Sequence, residues 1–186
     1  PLPGAELEAR AIGNLFPPEQ VTTLTGRAAL EHTVHGLAAG RTILHLATHG
    51  VIRDDDPLGS LLALAPGGDG PDGDGLWTAR EVFDLKLSAD LVTLSACNTG
   101  LGKVNGDGVI GLSRAFLYAG APSVLVSLWR VADSGTHFEM ERFYRELIAN
   151  HGAKAQALRR AQLDTIAALR AGRLASESGR ALPEDP

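Results

Sequence analysis

Two side chains in this sequence are suited to nucleophilic catalysis, and each stands just past a short apolar run. Thr42–Ala47 (TILHLA) leads into Thr48-His49-Gly50, and Leu91–Ala96 (LVTLSA) leads into Cys97-Asn98-Thr99-Gly100. Cysteine is the nucleophile whose thiol lies nearest to ionising at neutral pH. A neighbouring imidazole takes its proton or stabilises the thiolate. The glycine after the histidine fits the same chemistry. Gly50 lets a backbone approach a substrate closely, so its N–H and that of Cys97 can hold an oxyanion. Each such donor contributes about 3–4 kcal/mol to the transition state. Taken singly, a strand-end cysteine is more often a small buried hydrophobe, and a strand-end histidine a hydrogen-bonded structural residue. Their shared position, each followed by small residues and a glycine, is what favours chemistry.

That position depends on the elements carrying them. TILHLA, LVTLSA and Ser123–Leu128 (SVLVSL) are continuous rather than alternating apolar runs, as expected of parallel strands covered on both faces. Helical patterns lie between them, a short one near Thr78–Leu85 and a longer one near Gly108–Tyr118. Strands alternating with helices predict a doubly wound parallel sheet. In such a sheet ligands sit beyond the carboxyl ends of the strands. If the first two strands are parallel neighbours, His49 and Cys97 emerge on one edge.

The flanks read as helical. A helix is expected over Gly4–Leu15, ended by Pro17-Pro18, then a short strand near Val21–Leu24 and a helix from Arg27 to Ala39. Pro66–Gly75 (PGGDGPDGDG) is an exposed loop, with Ser60–Ala65 before it as one arm of a hairpin. Towards the carboxyl end, Thr136-His137-Phe138-Glu139 has capping-box spacing. Met140, Phe143, Tyr144, Leu147 and Ile148 form an apolar stripe, and a last helix runs from Lys154 to Ala171.

Composition narrows the function. The 186 residues carry 17 Lys+Arg against 22 Asp+Glu, a net charge of −5. Without a basic field, nucleic acid is not an expected partner. No apolar run approaches the roughly 18 residues of a membrane span. With one cysteine no internal disulfide forms, and a cytoplasmic setting is the default expectation. No metal or cofactor is expected. Asp54-Asp55-Asp56 reads as a solvated loop, and Gly106–Gly111 (GDGVIG) matches a dinucleotide fingerprint without directly following a strand. Asp107 reads as the cap of the helix that begins there, and His45 as a packed residue supporting the site.

HLATHG (His45–Gly50) and VTLSACNTG (Val92–Gly100) resemble the paired motifs of CHAT domains, caspase-like modules often attached to tetratricopeptide repeats. The likeness extends to LPGAELEAR (Leu2–Arg10), to Gly106–Asp133, and to FYREL and ALRRAQL in the closing helices, covering about residues 1 to 165. The resemblance implies a caspase-like three-layer α/β fold, with a mostly parallel central sheet and helices on both faces. It implies a cysteine endopeptidase acting on a protein or peptide, regulated by attached or partner domains of the repeat type. His49 would be the general acid/base and Cys97 the nucleophile, with no third carboxylate required. Clan relatives also imply that Trp129–Asp133 walls the pocket for the residue before the cut. Asp133 there would favour a basic side chain, and Arg130 an acidic one. A capping or ion-pair role for Asp133 is the plainer alternative. The alternative for the whole is a catalytically silent CHAT scaffold. Such domains usually finish with an apolar strand soon after a proline, whereas this sequence ends at Asp185-Pro186. Residues 1–186 are therefore expected to be a single domain from a longer protein, lacking that last strand.

Overall fold

The three continuous apolar runs form one sheet. In a computed structural model, which describes residues 3–53, 55–68, 73–95, 106–127 and 133–174, the strands are β1 (Ile43–Leu46), β5 (Leu91–Leu94) and β6 (Val124–Val126). Their order is β1-β5-β6, both pairings parallel. Side chains alternate across a sheet. Leu44, Leu46, Val92, Leu94, Val124 and Val126 accordingly join the hydrophobic core on one face. Leu91 and Thr93, on the other face of β5, are only 2% and 1% exposed. This two-sided burial is why LVTLSA reads as continuous.

The sheet belongs to the first of two compact units, residues 24–130 with 1–2. Its helices are α2 (Glu31–Ala38), α3 (Ala79–Phe83) and α4 (Gly106–Tyr118). Ala38, Ala79, Val82, Leu112, Ala115 and Phe116 bring them into the core. Three short strands make a second, antiparallel sheet in the order β2 (His49–Val51), β3 (Leu61–Ala63), β4 (Leu76–Thr78). Trp77 of β4 lies edge-on to Phe116 of α4, with ring centroids 5.8 Å apart. The α/β class is as expected, a parallel sheet flanked by helices.

Local sequence explains where these elements depart from expectation. Helix α2 starts at Glu31 rather than Arg27, because Leu30 is extended (ψ 137°) and bridges Ala65. Ala65 N–H donates to the Ala29 carbonyl (2.9 Å), and Glu31 N–H to that of Ala65 (3.2 Å). The strand expected near Val21–Leu24 has no ladder partner among the described residues. The capping box lies at Thr78, not Thr136. Glu81 N–H donates to Thr78 Oγ1 (3.3 Å) and Thr78 N–H to Glu81 Oε2 (2.6 Å), fixing the start of α3. Helix α5 (Asp133–Ala149) already encloses Thr136, and α4 begins before Asp107, which therefore lies inside its first turn.

The second unit joins residues 3–23 to 131–186 and contains α1 (Pro3–Gly13), α5 and α6 (Lys154–Arg170). Its core holds Ile12, Met140, Phe143, Tyr144 and Leu147. Phe16 meets Tyr144 edge-on at 6.2 Å. Ile148, expected in the same stripe, is 46% exposed. The fully buried positions of helix α6 are small, Ala157, Ala161, Thr165 and Ala168, with Leu158 and Leu169 half-buried beside them. Arg160 donates to Glu146 (2.9 Å), which holds the Glu146 carboxyl below its ordinary pKa and ties α5 to α6.

Between α5 and α6 the chain turns through a Schellman-type closure. Gly152 N–H donates to the Leu147 carbonyl (2.9 Å), and His151 takes φ 51°. A left-handed residue with a Cβ costs about 1–2 kcal/mol, a strain glycine avoids. His151→Gly is therefore expected to raise the stability of the chain by about 1 kcal/mol, read as a higher denaturant midpoint with an unchanged slope.

Candidate active site

The parallel pairing of β1 with β5 sets the geometry of the site. Their register runs Ile43↔Leu91, Leu44↔Val92, His45↔Thr93 and Leu46↔Leu94. Both strands therefore end at one edge of the sheet. His49 stands three residues beyond Leu46, and Cys97 three beyond Leu94. Cys97 and Arg130 themselves lie outside the described residues, as does the side chain of Asp133, the first residue of α5.

His49, expected just past the end of a strand, opens a strand of its own, β2. Two residues, Ala47 and Thr48, separate β1 from β2, and Thr48 Oγ1 donates to the Ala63 carbonyl of β3. The histidine is thus locked into a second sheet, opposite Ala63. It is half-buried, Gly50 is buried and Val51 is exposed.

The hydrogen-bond phase of this small sheet orients Gly50. Ala79 N–H donates to the Ser60 carbonyl (2.7 Å) and Leu64 N–H to that of Gly75 (2.8 Å). In an antiparallel ladder, hydrogen-bonded and non-bonded pairs alternate. Leu62 is therefore bonded to Trp77, while Leu61 and Ala63 turn their backbone groups to β2 and bond Val51 and His49. Gly50, opposite Leu62, directs its N–H and C=O away from β3.

Below this edge, His45 of β1 and the buried Thr93 of β5 are register partners on the same face. Among the described residues no group of three or more His, Cys, Asp or Glu could hold a metal ion. No helix among them is long and apolar enough to cross a membrane.

One supporting residue escaped the sequence reading. Glu31, fully buried, accepts a hydrogen bond from Gly75 N–H at Oε2 (2.7 Å), tying α2 to the hairpin of β3 and β4. Its Oε1 is buried with no protein partner among the described residues. Burial pushes its carboxyl pKa up, assisted by the nearby charges of Glu81 and Asp74 and opposed by the Gly75 hydrogen bond. Glu31 opens α2 as an ordinary first-turn acid, so nothing local in the sequence signalled its burial.

The architecture defines a caspase-like α/β module: a parallel sheet whose first two strands end together, with a small antiparallel sheet continuing from the first. The chain belongs to the CHAT domain family, whose model matches residues 1–173. It is similar to tetratricopeptide repeat protein 28 of Mus musculus, 44% identical over 82 residues, which is 44% of this chain and 3% of that protein. The Homo sapiens protein of the same name is 46% identical over 82 residues, with the same shares. The chain thus corresponds to a small fraction of these repeat proteins' length.

The raised pKa of Glu31 gives a signed expectation. The folded state holds this proton to a higher pH than the unfolded chain, so its stability falls as pH rises from about 4.5 through the folded value. Glu31→Gln removes that dependence while keeping an acceptor for Gly75. The stability of the variant relative to the parent is expected to grow over this pH window, measured by urea unfolding at several pH values.

Proposed function

We propose that this CHAT domain is a cysteine endopeptidase working through a Cys97–His49 dyad. The observation that carries the reading is the in-register parallel pairing of β1 and β5. Two motif residues follow these strands at equal distances, and both strands end at the same edge of the sheet.

His49 takes the thiol proton of Cys97, and the thiolate sulfur attacks the peptide carbonyl carbon. The oxyanion is held by the N–H of Gly50, which points off β3, together with the N–H of Cys97. His49 then gives its proton to the leaving amine. A water, deprotonated by His49, opens the thioester and regenerates the thiol. Arg130 or Asp133, in the segment after β6, selects the side chain preceding the cut. The substrate is a protein or peptide, and repeat-type domains regulate access in the cytoplasm. No cofactor takes part.

The anchoring of β2 supports this reading. Its hydrogen bonds to β3 and the Thr48 tether restrict the histidine backbone, as proton transfer over one hydrogen bond requires. The test is alkylation by a thiol-directed peptide probe, with cleavage of a peptide library in parallel. His49→Ala is expected to slow labelling and cleavage by roughly 10²-fold or more, and Cys97→Ala to abolish both. Full-rate labelling of Cys97 in the His49→Ala variant, with no peptide cleaved by the parent, would instead identify a silent scaffold.

A further inference from the structure

The small antiparallel sheet is apolar on both faces. Its buried side carries Leu62 and Trp77, opposite Gly50, and packs on α4 through Trp77 and Phe116. Side chains alternate along a strand, so the six remaining positions share the other side. Two register rows make up that face: His49, Ala63 and Leu76, then Val51, Leu61 and Thr78. An antiparallel sheet covered on one face ordinarily turns polar residues to solvent on the other. Here four of the six are aliphatic, and His49 alone among them can titrate. Val51 is 45% exposed and Leu76 44%, with Leu61 and Ala63 half-buried on the strand between them. Thr78 is already engaged, its hydroxyl bound to Glu81 at the start of α3.

His49 therefore rises from an apolar surface. Val51 lies about 6.5 Å from it along β2, and Leu76 about 10 Å away across two strand spacings. Ala63, the smallest of the six side chains, leaves a shallow step between His49, Leu61 and Leu76. An aliphatic or aromatic side chain fits such a step, whereas none of Val51, Leu61, Ala63 and Leu76 can pair with a charge.

The chemistry decides which half of a substrate meets this face. After attack the acyl half stays on the sulfur of Cys97, and the amine half takes its proton from His49. That nitrogen belongs to the first residue after the cut. It must come within hydrogen-bond reach of the imidazole, and so onto the side of the sheet from which the imidazole projects.

We propose that the outer face of this sheet is the subsite for the residues after the cut. Val51, Leu61 and Leu76 select an aliphatic or aromatic side chain at one of the first two positions there. The inference rests on the dyad reading and adds a determinant on the far side of the cut from the one assigned to Arg130 or Asp133.

The test uses internally quenched peptides, randomised before the cut and carrying Leu, Phe, Gly, Asp or Lys at either of the first two positions after it. Leu or Phe at one of these positions is expected to raise kcat/KM at least about tenfold over Gly, Asp or Lys. Val51→Lys with Leu76→Lys is expected to abolish that advantage and favour Asp, at an unchanged melting temperature, since both side chains are exposed. Alkylation of Cys97 by chloromethyl ketones of the same randomised peptides, which end at the reacting carbon, is expected to be the same in parent and variant. A parent that cleaves without apolar preference, or a preference that survives both lysines, would overturn the inference and leave the dyad standing. A parent that cleaves no peptide would sink the dyad reading, and this subsite with it. Sedimentation showing that the parent dimerises and the lysine variant does not would assign the face to a second copy instead.

Discussion

The backbone pairing of β1 with β5 is the constraint on which the rest of the site depends. Side chains alternate faces with a period of two, so a slip of β1 by one residue would turn Leu44 and Leu46 out of the core and bring His45 towards it. That penalty pins the register. The pinned register, in turn, fixes where both chains leave the sheet. A polar pair, His45 beside Thr93, is carried within the same ladder. The strands decide the edge at which the residues after Leu46 and Leu94 leave the sheet.

The small antiparallel sheet converts that exit point into an orientation. Only two residues link β1 to β2, too few for His49 to drift far from the strand it follows. Three anchors hold the sheet itself: the ring contact of Trp77 with Phe116, the Thr78–Glu81 box at the start of α3, and Glu31 on the backbone of Gly75. Glu31 is the costly one, a carboxylate enclosed with one oxygen unmatched among the described residues. It buttresses the hairpin from within.

Much of this was legible in the sequence for physical reasons. LVTLSA announced a buried parallel strand because burial on both faces removes alternation. The PGGDGPDGDG tract announced a hairpin tip because glycine and proline end ladders. The small sheet was less legible. HGV and LWT are three residues each, too short to show a period, so His49 read only as the residue following a strand, not as the start of another. The start of α2 was hidden because the bridge from Leu30 to Ala65 joins residues far apart in sequence. The two capping-box patterns looked alike on paper. Only Thr78 sits where a strand gives way to a helix, and Thr136 lies inside one.

The neck of the β3–β4 hairpin separates two kinds of evolutionary freedom. It is closed by Leu64 on Gly75 and by Gly67 N–H on the Gly73 carbonyl (2.8 Å). Gly75 has φ 83°, and a Cβ there would stand 2.9 Å from the Leu64 oxygen and from the Pro66 nitrogen. No side chain fits at that position without opening the neck. Beyond a closed neck, by contrast, each doubling of loop length adds only about 0.6 kcal/mol of closure entropy. Lineages of this domain can thus vary widely in the length of the tip while remaining bound to glycine at its base.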